Sequence, residues 1–312
     1  MSKRAIVFPG QGSQAKGMLS EFYDNFSLFK NLMEEASSFL RYNLWDLILN
    51  DTNDKLNKTK YTQPALLATS IALYKIWLSE GGSKPDYFAG HSLGEYSALV
   101  CANSISFRDA LTLVSERGRL MQSAVAEDQG AMAAILGLDD SKVEFICKQV
   151  SFEGGLVSTA NYNSKGQVVI AGEKDAVTRA GALAKESGAR KVVILNVTVP
   201  SHCPLMQVIA DEFRSLLDDV TFNEPLIPVV HNFNVCTHQT IDDIKDALVR
   251  QLYNPVRWVE TIEYFEKIGV SKVIECGPGK VLTSLNKRIT KNLEYFAISD
   301  LVTFKKELEL CL

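Results

Sequence analysis

The sequence has 312 residues, of which 46% are hydrophobic and 22% charged, as expected of a globular protein with a large core and room for a smaller domain. Its formal net charge of −4 argues against a nucleic-acid partner, which would require a basic chain or a basic stripe. No segment approaches the roughly 18 unbroken apolar residues of a membrane span, so no membrane association is expected.

The first predicted element is a short buried strand, residues 5–8, followed by a glycine-containing loop, PGQGSQ, at residues 9–14. A dinucleotide fingerprint would need a third glycine where the chain has Ala15, and the G-K-[ST] of a phosphate loop is absent. Two interpretations remain for this loop. It is a plain strand-to-helix turn, or its Gln11 main-chain N–H supplies one of the two oxyanion donors of an elbow enzyme.

Helices are predicted over residues 17–40 and 44–50, and a polar link, residues 51–60, separates them from an apolar helix over residues 65–79. Thr62 is expected to cap that apolar helix, and Pro64 suits its first turn. Gln63 lies at the same helix start, where it either caps the helix or reaches a substrate.

The most informative stretch is Gly90-His91-Ser92-Leu93-Gly94, between a predicted strand and a predicted helix. It matches the nucleophile elbow, a serine on a sharp turn whose glycines let the strand and the helix approach closely. We therefore interpret Ser92 as a nucleophile and the Leu93 main-chain N–H as an oxyanion donor. A glycine-rich turn with an incidental serine is the alternative.

The next predicted helix carries an arginine on its apolar face. Ser106 and Asp109 resemble a capping box at its start. Arg119 falls on the polar side and is expected to be solvated, whereas Arg117 interrupts the apolar stripe. Because a guanidinium taken out of water is costly without an anion, Arg117 is predicted to meet either an internal acid or a substrate carboxylate.

From about residue 129 the pattern changes to β-α-β-β-α-β, which is typical of a ferredoxin-like unit. The predicted elements are strands at 131–136, 156–161, 167–171 and 191–199, and helices at 141–150 and 175–187. We interpret residues 128–200 as an inserted domain within a discontinuous parent formed by residues 1–127 and 201–312. An inserted domain leaves a cleft against its parent, which is a favoured position for a ligand.

Of the four histidines, His202 is the best candidate for a general base. A helix through residue 217 is predicted to begin there, and its positive end would keep the imidazole neutral. The ring of His91, next to the serine, is expected to point away from the hydroxyl. His231 and His238 lie in or after a strand-like run, residues 227–235, with nothing around them that suggests a role. A histidine that only caps the helix is the alternative for His202.

The last third alternates again between helices and strands. Helices are predicted at 243–252, 256–268, 281–289 and from 302, and strands at 272–276 and 295–298. No acid at a strand end has a convincing claim on His202. A main-chain carbonyl or an amide could orient the imidazole instead, and Gln251 is a candidate.

The cysteines and the N-terminus predict the compartment. The six cysteines are Cys101, Cys147, Cys203, Cys236, Cys276 and Cys311. Without C-x-x-C spacing they predict reduced thiols, so neither a disulfide framework nor a metal site is expected. The apolar run after the basic N-terminus stops at Pro9, too early for a signal peptide. A cytoplasmic enzyme is therefore expected.

In chain order, these motifs resemble the malonyl-CoA:acyl carrier protein transacylase family over nearly the whole length. The resemblance is carried by FPGQGSQ at 8–14, TQPA at 62–65, GHSLGE at 90–95, Arg117, PSH at 200–202 and QLYNPVRW at 251–258. It implies an α/β fold: an α/β-hydrolase-like large domain with a parallel sheet, and a ferredoxin-like insert. It also implies that Ser92 is acylated and that His202 is its base.

The same resemblance implies roles for the remaining candidates. Arg117 would bind the free malonyl carboxylate, with Gln63 as a second substrate contact. The N–H groups of Gln11 and Leu93 would form the oxyanion hole. A main-chain carbonyl near Gln251 would orient the histidine, which would explain the missing acid.

The implied activity is ping-pong transfer of a malonyl group from malonyl-CoA to the phosphopantetheine thiol of acyl carrier protein, supplying fatty acid synthesis. Coenzyme A and phosphopantetheine thioesters are then substrates, no cofactor is expected, and the protein is expected to be a monomer. The alternatives are a serine hydrolase or thioesterase, a polyketide-pathway acyltransferase of the same fold, and a non-catalytic docking subunit. Because such carriers are acidic, a basic patch is expected at the cleft mouth, formed by Lys280, Lys287, Arg288 and Lys291.

Overall fold

The computed structural model describes residues 3–52, 54–126, 128–197 and 199–310, and these form a mixed α/β structure with two sheets. The strands are β1 (Lys3–Phe8), β2 (Tyr87–Gly90), β3 (Gly130–Leu136), β4 (Val157–Ser164), β5 (Gln167–Glu173), β6 (Lys191–Ile194), β7 (Val229–Val230), β8 (Val270–Glu275) and β9 (Glu294–Ala297). The helices are α1 (Ser20–Asn25), α2 (Ser27–Leu40), α3 (Leu44–Asn50), α4 (Thr59–Ser79), α5 (Gly94–Cys101), α6 (Phe107–Ser123), α7 (Asp140–Phe152), α8 (Lys174–Glu186), α9 (Ala210–Asp218), α10 (Ile241–Tyr253), α11 (Trp258–Lys267), α12 (Val281–Ile289) and α13 (Leu301–Glu309).

The larger sheet is parallel, with the strand order β7-β2-β1-β8-β9 in the described ranges. Its central strand β1 is apolar on both faces, because Ile6 and Phe8 belong to the core on one side and Ala5 and Val7 to the core on the other. All its strands end at one edge, where loops of an open α/β sheet form ligand sites.

The smaller sheet is antiparallel, with the order β4-β5-β3-β6. Helices α7 and α8 pack on one face, and their apolar side chains share a core with those of β3, β4 and β5. The sheet is joined to the rest of the chain by main-chain hydrogen bonds from Tyr162 to Val256 at 2.9 Å and from Val256 to Ala160 at 2.9 Å. These bonds hold β4 beside the segment that leads into α11.

The start of α4 differs from the prediction. The helix begins at Thr59 with Lys58 as its cap, so the expectation that Thr62 caps it and that Pro64 lies in its first turn was wrong. The buried Thr62 hydroxyl instead donates to the main-chain oxygens of Leu56 at 2.6 Å and of Lys58 at 3.1 Å. It therefore ties the first turn to the preceding loop.

Two predicted strands are shorter than expected. The run predicted over residues 191–199 ends as a strand at Ile194, and that predicted over residues 227–235 keeps only Val229–Val230. In the second case the main-chain N–H of His231 donates to the oxygen of Cys236 at 3.0 Å, and that of Val235 donates to His231 at 3.0 Å. A turn closes there, so the strand cannot continue.

The cysteines of the described part, residues 101, 147, 203, 236 and 276, are free thiols, and Cys311 lies outside it. No cluster of His, Cys, Asp and Glu side chains that could hold a metal occurs among the described residues. Across the same ranges, every helix is too short or too polar to cross a membrane.

Candidate active site

The elbow between β2 and α5 has no room for side chains beside its serine. A Cβ atom on Gly90 would lie 1.9 Å from the main-chain carbon of Gly94, and one on Gly94 would lie 2.1 Å from the Phe8 oxygen. Ser92 adopts the left-handed conformation with φ +51°, which non-glycine residues rarely take. Its N–H donates to Asn232 Oδ1 at 2.7 Å, which holds this strained turn in place.

Ser92 and His202, separated by 110 residues, are in direct contact. His202 Nε2 lies 2.7 Å from Ser92 Oγ, and Nδ1 lies 2.7 Å from the main-chain oxygen of Gln251. A carbonyl oxygen only accepts hydrogen bonds, so Nδ1 carries the proton and Nε2 is free to accept from the serine hydroxyl. The pair therefore has the geometry of a nucleophile and its base, with a carbonyl as the orienting group.

Burial keeps the His202 imidazole neutral. Removal from water, and next the positive charge of Arg117, lower the pKa of His202 from 6.5 to about 3. No helix begins at His202, contrary to the prediction, because this residue has φ +61°, outside the right-handed helical region. A 3-10 helix runs from Pro204 to Ile209, and α9 follows. The imidazole of His202 is thus neutral as predicted, but the cause is burial and the charge of Arg117 instead of a helix dipole.

Arg117 is buried, 1% exposed, and its hydrogen-bond partners are neutral. Its Nη1 donates to Gln63 Oε1 at 2.8 Å, and its Nη2 donates to Gln251 Oε1 at 2.9 Å and to Ser92 Oγ at 3.3 Å. The guanidinium also lies over the Tyr96 ring, 5.3 Å from its centroid. Among the described residues no carboxylate forms an ion pair with Arg117, so the internal acid considered from the sequence is not found there.

Arg119, two residues further along α6, is in the opposite situation. Its side chain is 52% exposed and forms ion pairs with Glu116 at 2.7 Å and with Glu212 at 3.1 Å. One helix thus carries a solvated, paired arginine and a buried arginine without an acid. The buried one faces the serine.

A small cavity of about 100 Å³ opens beside Ser92. Its apolar wall is formed by Met121, Met132, Leu195, Val197 and Val199. The smaller sheet and the segment after it contribute to this wall, so the cavity lies where the two sheets meet.

Gln11 and Leu93 line the same cavity. They follow adjacent strands, since Phe8 of β1 is paired with Gly90 of β2, and the His91 N–H donates to the Phe8 oxygen at 3.0 Å. Within the described ranges, neither the Gln11 nor the Leu93 main-chain N–H donates a hydrogen bond. Neither of these main-chain donors is therefore used within the described part of the chain.

A buried polar network lies behind the serine, and the sequence patterns did not predict it. Glu95 Oε1 accepts from His231 Nδ1 at 2.7 Å, and Oε2 accepts from the Asn232 N–H at 2.9 Å and from Gln251 Nε2 at 2.9 Å. His231, for which the sequence suggested no role, is thus a member of this network. The available signal was Glu95 itself, an acid in the first turn of an otherwise apolar helix.

Within the described ranges, the remaining residues singled out from the sequence form no hydrogen bond with Ser92 Oγ. His91 Nε2 lies 2.8 Å from Asn163 Oδ1, so its ring pairs with the smaller sheet. His238 lies 2.9 Å from the Asn234 amide through Nε2. The basic residues on or beside α12 are all exposed: Lys280, Lys287, Arg288 and Lys291.

Comparison with known proteins gives a match along nearly the whole chain. The family model of the acyl transferase domain matches residues 5–309. The malonyl CoA-acyl carrier protein transacylase of Escherichia coli strain K12 is 51% identical over 310 residues, which are 99% of this chain and 100% of that protein. The enzyme of that name from Bacillus subtilis is 44% identical over 300 residues, 96% of this chain and 94% of that one.

Solved structures give the same result. An acyl carrier protein S-malonyltransferase from Vibrio cholerae has a TM-score of 0.95 at 51% identity, covering 98% of this chain and 99% of that one. A malonyl-transacylase in complex with its type II polyketide synthase acyl-carrier protein has a TM-score of 0.97 at 50% identity, covering 99% and 100%.

Proposed function

The chain belongs to the acyl transferase domain family, and we propose that it transfers the malonyl group of malonyl-CoA to the phosphopantetheine thiol of an acyl carrier protein. One observation carries the choice of acyl group: the buried Arg117, whose hydrogen-bond partners among the described residues are neutral, lies 3.3 Å from Ser92 Oγ. A buried guanidinium whose direct hydrogen-bond partners are all neutral attracts a substrate carboxylate and can bind it with two parallel hydrogen bonds.

We assign the parallel sheet and its helices to an α/β-hydrolase-like large domain, residues 1–127 and 201–312. The antiparallel sheet with α7 and α8 is assigned to a ferredoxin-like insert, residues 128–200. The strand order β4-β5-β3-β6 supports this division, as does the separate core under α7 and α8.

In the first half-reaction His202 Nε2 takes the proton of Ser92, and Oγ attacks the carbonyl carbon of the malonyl thioester. The main-chain N–H groups of Gln11 and Leu93 donate to the oxyanion of the tetrahedral intermediate. The intermediate collapses with cleavage of the carbon–sulfur bond, and the leaving sulfur takes the proton from His202. The products are free coenzyme A and a malonyl ester of Ser92.

In the second half-reaction the phosphopantetheine thiol of the carrier gives its proton to His202 and attacks the ester carbonyl. The same two N–H groups receive the oxyanion, and Ser92 leaves with the proton from His202. Arg117 holds the free carboxylate through both steps. An acetyl group lacks that carboxylate and leaves the buried guanidinium without its partner, so it binds less well.

Intact-mass measurement after addition of malonyl-CoA tests this function. We expect a malonyl adduct on Ser92 that persists until carrier protein is added and is absent from the Ser92→Ala variant. Rapid loss of the adduct to water would indicate a hydrolase or thioesterase instead. Malonyl transfer by Ser92→Ala at the wild-type rate would refute the serine mechanism, and a wild-type chain that neither forms an adduct nor transfers malonyl would indicate a non-catalytic docking subunit.

The carrier protein could belong to either of two biosynthetic pathways. Fatty acid synthesis is the first, from the transacylase relatives, and polyketide synthesis is the second, because a structure at 50% identity was solved with a type II polyketide carrier. Rates of the second half-reaction with one carrier of each kind distinguish them. The physiological carrier is the one with the higher kcat/KM.

A further inference from the structure

Glu95 is the most deeply buried carboxylate around the serine, with 0% of its surface exposed. It lies in the first turn of α5, where the helix dipole favours a negative charge. Its two oxygens accept from His231 Nδ1, the Asn232 N–H and Gln251 Nε2, at 2.7, 2.9 and 2.9 Å. The mechanism above does not use this carboxylate.

The side-chain amide of Gln251 is held between two groups of opposite character. On one side Gln251 Nε2 donates to Glu95, and on the other its Oε1 accepts from Arg117 Nη2 at 2.9 Å. An ionised carboxylate only accepts hydrogen bonds and a guanidinium only donates them. The amide can satisfy both in one orientation alone, with its nitrogen towards Glu95 and its oxygen towards Arg117.

Removing the carboxylate would release this constraint. Gln251 Nε2 would keep the main-chain oxygen of Ser92 at 3.0 Å and a longer contact with Asn232 Oδ1 at 3.5 Å, so the amide would be held less firmly. Arg117 would then lose a fixed acceptor on the nitrogen that also reaches the serine. The main-chain oxygen of Gln251 would stay on His202, because it belongs to helix α10.

We propose that Glu95 is a positioning residue for acyl-group selection: it fixes the Gln251 amide so that Arg117 is presented to the carboxylate of the acyl group. This inference rests on the proposed malonyl transfer. Glu95 touches neither the substrate nor the reacting atoms. It acts through Gln251, and its loss changes which acyl group is chosen more than it changes the attack of Ser92.

The test compares rates of Ser92 acylation by malonyl-CoA and by acetyl-CoA, measured by intact mass in the full chain. For Glu95→Ala we expect the malonyl-to-acetyl rate ratio to fall about tenfold, the effect of one hydrogen bond to a charged group. Glu95→Gln keeps an acceptor oxygen for Gln251 and is expected to retain most of the ratio. The matched control is Glu307→Gln, a buried glutamate of α13 that pairs with Lys272 at 2.7 Å, and its ratio should equal that of the wild type.

A double-mutant cycle separates positioning from a general loss of structure. If Glu95 acts through Gln251, then adding Glu95→Ala to Gln251→Ala changes the ratio by less than about twofold. Equal falls in the malonyl and acetyl rates of Glu95→Ala, or full additivity with Gln251→Ala, would overturn the proposal. If Glu95→Ala does not fold, the cycle is run with Glu95→Met, which keeps the side-chain volume but offers Gln251 no oxygen; additive losses of the ratio then overturn the proposal and non-additive losses support it.

Measurements on the wild-type chain distinguish a failure of this proposal from a failure of the proposed function. A wild-type chain that forms no malonyl ester on Ser92 refutes the proposed malonyl transfer. A wild-type chain that prefers malonyl-CoA, together with an unchanged ratio in Glu95→Ala, refutes only the role of Glu95.

Discussion

One terminal nitrogen of Arg117 lies 3.3 Å from the hydroxyl oxygen of Ser92. The serine proposed to carry the acyl group and the arginine proposed to bind its carboxylate are therefore in contact before any substrate binds. An ester on Ser92 whose far end bears a carboxylate can reach the guanidinium only if its chain is short. We therefore expect the short distance between these two side chains to favour a small dicarboxylic acyl group.

Replacing Arg117 by alanine should lower the rate of Ser92 acylation by malonyl-CoA about a hundredfold, because a charged, two-point hydrogen bond to the substrate is lost. Acylation by acetyl-CoA should fall far less, so that acetyl-CoA gains relative to malonyl-CoA. Arg119→Ala is the matched control, since that arginine is exposed on the other face of α6. Equal losses with both thioesters would contradict the role of Arg117 as a carboxylate binder.

Replacing His202 by alanine should slow acylation of Ser92 about a thousandfold, the usual contribution of a general base. Rapid quenching of one turnover with malonyl-CoA, followed by intact-mass analysis, measures this step alone. His238→Ala serves as the control, because that half-buried ring lies against the Asn234 amide. Acylation of His202→Ala at the wild-type rate would show that another group takes the proton.

The lowered pKa of His202 makes the folded state sensitive to acid. The folded chain keeps this imidazole neutral down to about pH 3, whereas an unfolded chain protonates it below its usual pKa of 6.5. Proton uptake by the unfolded state lowers the free energy of unfolding as the pH falls from 6.5 towards 3. At about pH 5 the loss from this one group should be about 2 kcal/mol.

Urea unfolding of the wild type and of His202→Gln across this pH range measures that loss. The variant lacks the titrating group, so its free energy of unfolding should fall less steeply as the pH is lowered. The difference in slope between the two chains should correspond to the uptake of up to one proton on unfolding. Parallel curves for the two chains would show that His202 titrates normally in the folded state.

Gly94→Ala should destabilise the chain by about 2 kcal/mol or more, the cost of overpacking a rigid contact. The added Cβ would lie 2.1 Å from the Phe8 main-chain oxygen, an atom of β1 that cannot move alone. Gly181→Ala is the control, because in α8 the nearest atom is a side-chain methyl of Val192 at 3.2 Å. Thermal unfolding of both variants gives the comparison, and equal stabilities would mean that the elbow tolerates a side chain.

Charge reversal on α12 should slow the reaction with the carrier protein and leave the rate of the first half-reaction unchanged. In the double variant Lys287→Glu with Arg288→Glu, we expect kcat/KM for the carrier to fall about tenfold at low salt, because electrostatic steering by the exposed patch is reversed. The control is Lys305→Glu with Lys306→Glu on α13, which should leave that constant unchanged. Equal effects of the two pairs would place the docking surface elsewhere.

Local chemistry made parts of the fold predictable from the sequence. The helix predicted over residues 281–289 is α12, and Ser106 caps α6 by accepting from the Asp109 N–H at 3.0 Å, as its spacing predicted. The burial of Arg117 followed from its position on an apolar helical face. In each case the sequence signal lies within one short stretch of the chain.

The parts that could not be predicted depend on distant contacts. Glu95 and His231 are 136 residues apart, and no local pattern pairs them. The start of α4 was misplaced because the Thr62 hydroxyl bonds backwards into the loop at Leu56, where sequence preference alone suggested a cap. The neutrality of His202 was expected, but its cause is burial beside Arg117.

The pairing of Phe8 with Gly90 positions two loops as well as two strands. The loop bearing Gln11 and the turn bearing Leu93 each leave from one of these neighbouring strands, so this pairing places the starts of both segments side by side. The proposed oxyanion donors are main-chain groups, so they need no side-chain rearrangement as the negative charge grows. Substitutions that change side chains in the loop after Phe8 but leave this pairing intact should therefore leave the intrinsic rate of acyl exchange nearly constant.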